Sequence, residues 1–155
     1  MKTKLNDISE TMLIPLYSRS CETRKIDGMI QDPKAIEMVS NIDHDFSKLE
    51  NSKTTQLGVS CRTLILDEQT KKFIKENPDG VCISVGCGLD TRFECVNNGK
   101  ITWYDLDLPE VIDIRKQFFD NNDQQKMISE SIFDESWIYK LIIKEKMFYL
   151  YLKEF

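Results

Sequence analysis

Between Val81 and Phe119 the chain alternates two short apolar runs with two stretches of helical periodicity, an order that constrains its fold more than any other feature. Val81-Cys82-Ile83-Ser84-Val85 is brief, rich in β-branched residues and nearly all apolar, the composition of a strand covered on both faces. Lys100-Ile101-Thr102-Trp103-Tyr104 is the second run. Leu89 to Val96 leaves room for a brief helix before the Asn97-Asn98-Gly99 turn. Beyond the second run, Pro109 opens a helix with Val111, Ile112, Ile114, Phe118 and Phe119 at helical period. A crossover of this length joins parallel strands, so the region reads as half of a doubly wound, Rossmann-like α/β sheet.

Upstream the pattern is helical. Asp32-Pro33 reads as an N-cap and first helical residue, predicting a helix over 33–41, and Thr11 to Tyr17 predicts a short helix broken at Pro15. The polar stretch 43–55 reads as a loop or weak surface helix. A longer helix is expected over 55–76, with Leu57, Cys61, Leu64 and Ile65 at i, i+4, i+7 and i+8 marking its buried face, and Asn77-Pro78-Asp79-Gly80 ending it. Downstream, Lys126 to Ser129 predicts a third strand and Ser131 to Trp137 a loop into a helix, while Lys140 to Phe155 fits a helix, a strand or neither. The expected division is an N-terminal helical region, 1–76, and a partial Rossmann-like core, 77–155, within one domain.

With 21 Lys+Arg against 26 Asp+Glu and a net charge of -5, the chain lacks the basic surface needed to grip nucleic acid or anionic lipid. Its five cysteines contain no CxxC pair, which points away from a disulfide framework or a thiolate metal site and toward the reducing cytoplasm. No apolar region follows Met1 to Asp7 as in a leader, and no stretch reaches the roughly 18 apolar residues of a membrane span.

Gly86-Cys87-Gly88 and the carboxylates Asp105 and Asp107 fall at the carboxyl ends of the two predicted strands, where an open α/β sheet binds its ligand. Glycines let a ligand approach the main chain, and an acidic residue about 20 positions on accepts hydrogen bonds from ribose hydroxyls, a window that holds Asp107. The plainer alternative is a simple turn, with Asp107 capping the helix that opens at Pro109. Asp90 stands where a dinucleotide's pyrophosphate would rest and Thr91 replaces a third glycine, which disfavours NAD. A cofactor with a ribose and no phosphate, S-adenosylmethionine, fits better. The chain's one histidine, His44, lies in the polar loop, so no evident base is offered and the acceptor leans toward a carboxylate.

Thr11 to Arg19, Asp32-Pro33-Lys34-Ala35, Arg62-Thr63 with Asp67, Gly86-Cys87-Gly88-Leu89-Asp90-Thr91-Arg92, Trp103 to Val111 and Ser131 to Trp137 together resemble the leucine carboxyl methyltransferase family, including its polyketide O-methyltransferase members. The resemblance implies an S-adenosylmethionine-dependent O-methyltransferase with a Rossmann-like core and an N-terminal helical lid. It places Arg62 on the cofactor's carboxylate, Gly86 and Gly88 along its methionine part, Asp107 on the ribose, Asp134 near the adenine, and Arg19 near the cofactor tail or a substrate carboxylate. The implied acceptor is a small or polyketide-like molecule, through a hydroxyl or a carboxylate. Because the likeness stops near Trp137, the expectation is a sheet truncated after its first half, with an exposed edge open to self-association. Two alternatives stand beside it: a non-catalytic remnant or interaction module, and a NAD-dependent oxidoreductase.

Overall fold

The computed structural model describes residues 10–50, 52–141 and 146–152. The chain divides into two compact units, one comprising 1–68 and 89–95, the other 69–88 and 96–155.

The first unit is helical. Helix α1 (Glu10–Thr23) runs through Pro15 without a break, contrary to the expected interruption. The reason is packing: Leu13, Leu16 and Tyr17 bury one face of the helix, which outweighs the one hydrogen bond the proline cannot donate. Helix α2 (Pro33–Asn41) has the expected bounds, with Asp32 Oδ1 accepting the Ala35 N–H at 2.9 Å as N-cap. Within the polar stretch a 3-10 helix forms at Phe46–Leu49, whose Phe46 ring stacks on Tyr17 at 5.2 Å and meets His44 edge to face, while 53–55 already belong to the next helix. His44 is therefore half-buried against an aromatic ring instead of lying loose on the surface.

Helix α3 (Lys53–Glu76) is present, but its faces are reversed from the expectation. Leu57 is 54% and Ile65 56% exposed, and Cys61 and Leu64 also face outward. The buried side carries Val59, Ser60, Asp67, Thr70 and Ile74. Hydropathy pointed the wrong way because the inward polar groups are satisfied: Ser60 Oγ donates to the Gln56 carbonyl at 2.8 Å, and Asp67 pairs with Arg92.

The second unit holds the sheet, β1 (Val81–Val85), β2 (Thr102–Asp107), β3 (Gln125–Ser129) and β4 (Phe148–Leu152), all parallel and ordered β3-β2-β1-β4. The fold is thus of the Rossmann-like α/β class. Strand β2 starts later than expected because Asn98 Oδ1 takes the N–H groups of Lys100 and Ile101 into the preceding turn, and it continues through Asp107. Helices α4 (Arg92–Val96) and α5 (Pro109–Arg115) are shorter than their apolar patterns. Of the tail that had three readings, 148–152 is a strand beside β1; residues 142–145 and 153–155, like the leader considered at 1–7, lie outside the described residues.

One face of the sheet is an apolar core of Val81, Ile83, Val85, Tyr104, Leu106 and Ile128 closed by Trp137. The opposite face is buried and polar. It carries Trp103, Asp105 and Asp107 on β2, since alternate strand residues share a side.

Candidate functional site

The order of chain passage reverses at β1, which has β2 on one side and β4 on the other. A doubly wound sheet opens a crevice at the carboxyl end of such a strand. Here the chain leaves β1 through Gly86 and Gly88, both in the left-handed region with φ of 64° and 49°, which a side chain would strain. The N–H groups of Gly86 and Cys87 both donate to the Leu106 carbonyl, at 2.9 and 3.3 Å, folding the turn against the end of β2. Cys87 itself is fully buried.

Asp107 completes this turn. Its Oδ2 accepts the Gly88 N–H at 2.8 Å and its Oδ1 accepts the Leu108 N–H at 2.8 Å. It does not cap α5, whose N-cap is Leu108 with no side-chain hydrogen bond. A carboxylate offers about four acceptor positions, and this half-buried one keeps capacity for two further donors, the number a vicinal diol presents.

Asp105 has a different job. Oδ2 accepts from Arg115 Nη2 and from Gln125 Nε2, each at 2.8 Å, and Oδ1 from Trp103 Nε1 at 3.0 Å. Both members of the Arg115–Asp105 pair are 1% exposed, so this carboxylate is an interior structural group and not a ligand contact. Arg115 also donates Nη1 to the Gly88 carbonyl at 3.0 Å and lies over the Phe119 ring at 4.1 Å. In the sequence this network shows only as polar interruptions in otherwise apolar runs.

The remaining candidates of the helical unit sit among buried charges. Arg19 donates Nε to Asp32 Oδ2 at 2.9 Å and Nη2 to the Leu89 carbonyl at 2.8 Å, and Thr91 Oγ1 also donates to Asp32. Arg92 joins Asp67 (2.6 Å) to Asp90 (2.9 Å). The space enclosed beside Arg19, Asp32, Asp67, Asp90 and Arg92 is about 10 Å³, room for no more than a single water. Asp90 is thus buried and paired, and its charge no longer argues against a pyrophosphate as strongly as it did in isolation. The same carboxylates, after burial itself, push the Cys95 thiol up to about 12. Arg62 lies half-buried on α3.

Asp134 is exposed and caps the 3-10 helix Glu135–Lys140, accepting the Ser136 N–H at 3.2 Å, a bond that holds its carboxyl below the usual range. The structure therefore joins Gly88 and Asp107 by a direct hydrogen bond, with Gly86 in the same turn, and gives Asp134 a local capping bond to Ser136.

A parallel sheet ordered β3-β2-β1-β4, with a glycine turn and a carboxylate at its reversal point, defines an α/β protein of the methyltransferase-like class. The chain belongs to the leucine carboxyl methyltransferase family, whose sequence model matches residues 13–134. It is similar to the tetracenomycin polyketide synthesis O-methyltransferase TcmP of Streptomyces glaucescens, with 32% identity over 136 residues, 87% of this chain and 50% of that protein. The chain spans about half the length of this curated relative. No helix among the described residues is long and apolar enough to cross a membrane.

Proposed function

We propose that this chain binds S-adenosylmethionine and serves methyl transfer to an oxygen, hydroxyl or carboxylate, of a small polyketide-like acceptor. The observation that carries this is the turn at the end of β1, where two positive-φ glycines and a carboxylate with unused acceptor positions stand together. The donor set suits the cofactor: glycines admit its chain to the backbone, and Asp107 can receive two ribose hydroxyls. When bound, the cofactor supplies an electrophilic methyl on a sulfonium. The protein's part is to hold that group and an acceptor in line and away from water.

In this assignment Gly86 and Gly88 line the methionine portion and Asp107 orients the ribose. Arg62 has the planar fork suited to the cofactor carboxylate. Arg19, tied to Asp32 and Leu89, is assigned a place near the cofactor tail, and Asp134 one near the adenine through the oxygen not used by the Ser136 N–H.

Calorimetric titration of the chain with S-adenosylmethionine, with NAD as control, tests this. Saturable binding of the first, none of the second, and at least about tenfold weaker binding by Asp107→Ala are expected, the loss of one or two hydrogen bonds to a charged group. A folded chain that binds neither is a non-catalytic remnant, and one that prefers NAD is an oxidoreductase; either result overturns the proposal.

A further inference from the structure

Gly88 is gripped at both of its peptide groups. Asp107 receives its N–H at 2.8 Å, and Arg115 donates Nη1 to its carbonyl at 3.0 Å. These two side chains come from the end of β2 and the last turn of α5, so the turn after β1 is fixed by groups on both sides of the following loop. Left-handed φ alone does not fix a glycine, whose lack of a Cβ admits many conformations. Something outside the turn must select one.

Arg115 is built for that selection. Its guanidinium is buried, lies flat on Phe119, and is oriented by Asp105, which in turn is held by Gln125 and Trp103. A planar fork with one arm on a carboxylate leaves its other arm in a defined direction, and here that direction is the Gly88 carbonyl. A simple core ion pair would need only the first arm. Burying two charges to make a pair alone is weakly stabilising at best, so the second arm is the feature that an apolar replacement could not reproduce.

We propose that Arg115 is a positioning residue for the cofactor turn: anchored by Asp105, it holds the Gly88 carbonyl while Asp107 holds the N–H, and so sets both the glycine backbone and the Asp107 carboxylate in binding geometry. This rests on the cofactor assignment above for its functional consequence, and on the hydrogen bonds alone for its structural one.

The test uses Arg115→Lys, which keeps a charge for Asp105 and loses the second arm. Ile74→Ala is compared with it; this truncates a buried side chain on α3 and removes no partner of Gly88, Asp105 or Asp107. Native-state hydrogen exchange of the Gly88 amide, taken relative to Ile83 in β1, reads the turn without any ligand. Arg115→Lys is expected to speed Gly88 exchange and weaken S-adenosylmethionine binding each by about tenfold, the effect of one lost hydrogen bond to a charged group. Ile74→Ala is expected to leave both at parental values even though the melting temperature falls.

Parental Gly88 exchange and affinity in a folded Arg115→Lys protein, or equal effects from Ile74→Ala, would reduce Arg115 to a core ion pair. If the parent itself binds no S-adenosylmethionine, the cofactor assignment fails, and faster or unchanged Gly88 exchange still supports or overturns the positioning role. Should Arg115→Lys not fold, Phe119→Leu carries the test. It removes the ring beneath the guanidinium while keeping both donors, and a rise in Gly88 exchange is expected, with no rise overturning the proposal.

Discussion

Asp107 reaches back from the end of β2 to accept the N–H of Gly88 at 2.8 Å, so the carboxylate that resembles a ribose ligand is also part of the turn it borders. Structural and binding roles converge on one side chain, and they can be separated by substitution. Asp107→Asn keeps one acceptor oxygen for a main-chain N–H. It is expected to be destabilised by under about 1 kcal/mol while losing S-adenosylmethionine binding, whereas Asp107→Ala loses about 1–2 kcal/mol as well. Urea unfolding beside calorimetry reads the two effects; equal stability of both variants would show that the Gly88 bond contributes nothing.

The reversed faces of α3 make a sharp contrast in stability. Leu57→Gln and Ile65→Gln, on the exposed side, are expected to shift unfolding free energy by no more than about 0.5 kcal/mol. Ile74→Ala, on the buried side, is expected to lose about 2–4 kcal/mol. Chemical denaturation of the three variants checks this, and a large loss at Leu57 would mean that side is covered in solution.

Glu22 supplies a pH dependence. Its buried carboxylate accepts from Lys25 Nζ at 2.5 Å and from the Met29 N–H at 3.0 Å, and these bonds, Lys25 first, hold its pKa below the ordinary value. A carboxyl lowered on folding stabilises fully above its unfolded value, about 4.3, and that contribution disappears as pH falls through the folded value. Glu22→Gln should therefore be less stable at pH 7 and show a flatter decline between about pH 5 and pH 3. Parallel curves for parent and variant would remove Glu22 from the acid transition.

The cysteines should separate by reactivity. Cys61 is exposed on α3, whereas burial pushes Cys82 and Cys95 each up to about 12 and Cys87 is wholly enclosed. At pH 8 a disulfide reagent should label Cys61 in a fast phase absent from Cys61→Ser, with Cys82, Cys87 and Cys95 reacting only on unfolding. Fast labelling of Cys95 would show that its carboxylate surroundings open in solution.

Much of the architecture was legible before any coordinates. Helix α2, strand β1 and the parallel order followed from an Asp-Pro start, a β-branched run and a crossover too long for a hairpin. The spacing between the glycines and the acid marks both for the carboxyl end of the sheet, but not the hydrogen bond that joins Gly88 to Asp107. What could not be read was where buried polar groups find partners. Ser60, Asp67 and Thr70 look like a solvent face until Arg92 and the Gln56 carbonyl are placed beside the first two, and Asp105 looks like a second ligand until Arg115, Gln125 and Trp103 surround it. Such pairings are long-range, and hydropathy registers only the residue. Pro15 misled for a related reason, since a local penalty was outweighed by tertiary packing of α1.

The arrangement of strands also has a consequence in time. β1 gains one neighbour, β2, about 20 residues later, but its other neighbour, β4, is made more than about 60 residues later. During synthesis at roughly 5–20 residues per second, one flank of β1 therefore stays unpaired for several seconds or more after the strand itself exists. The switch point where the ligand crevice opens closes later than the β1–β2 and β2–β3 seams, and a nascent chain carries it as an open edge until Phe148 to Leu152 arrive.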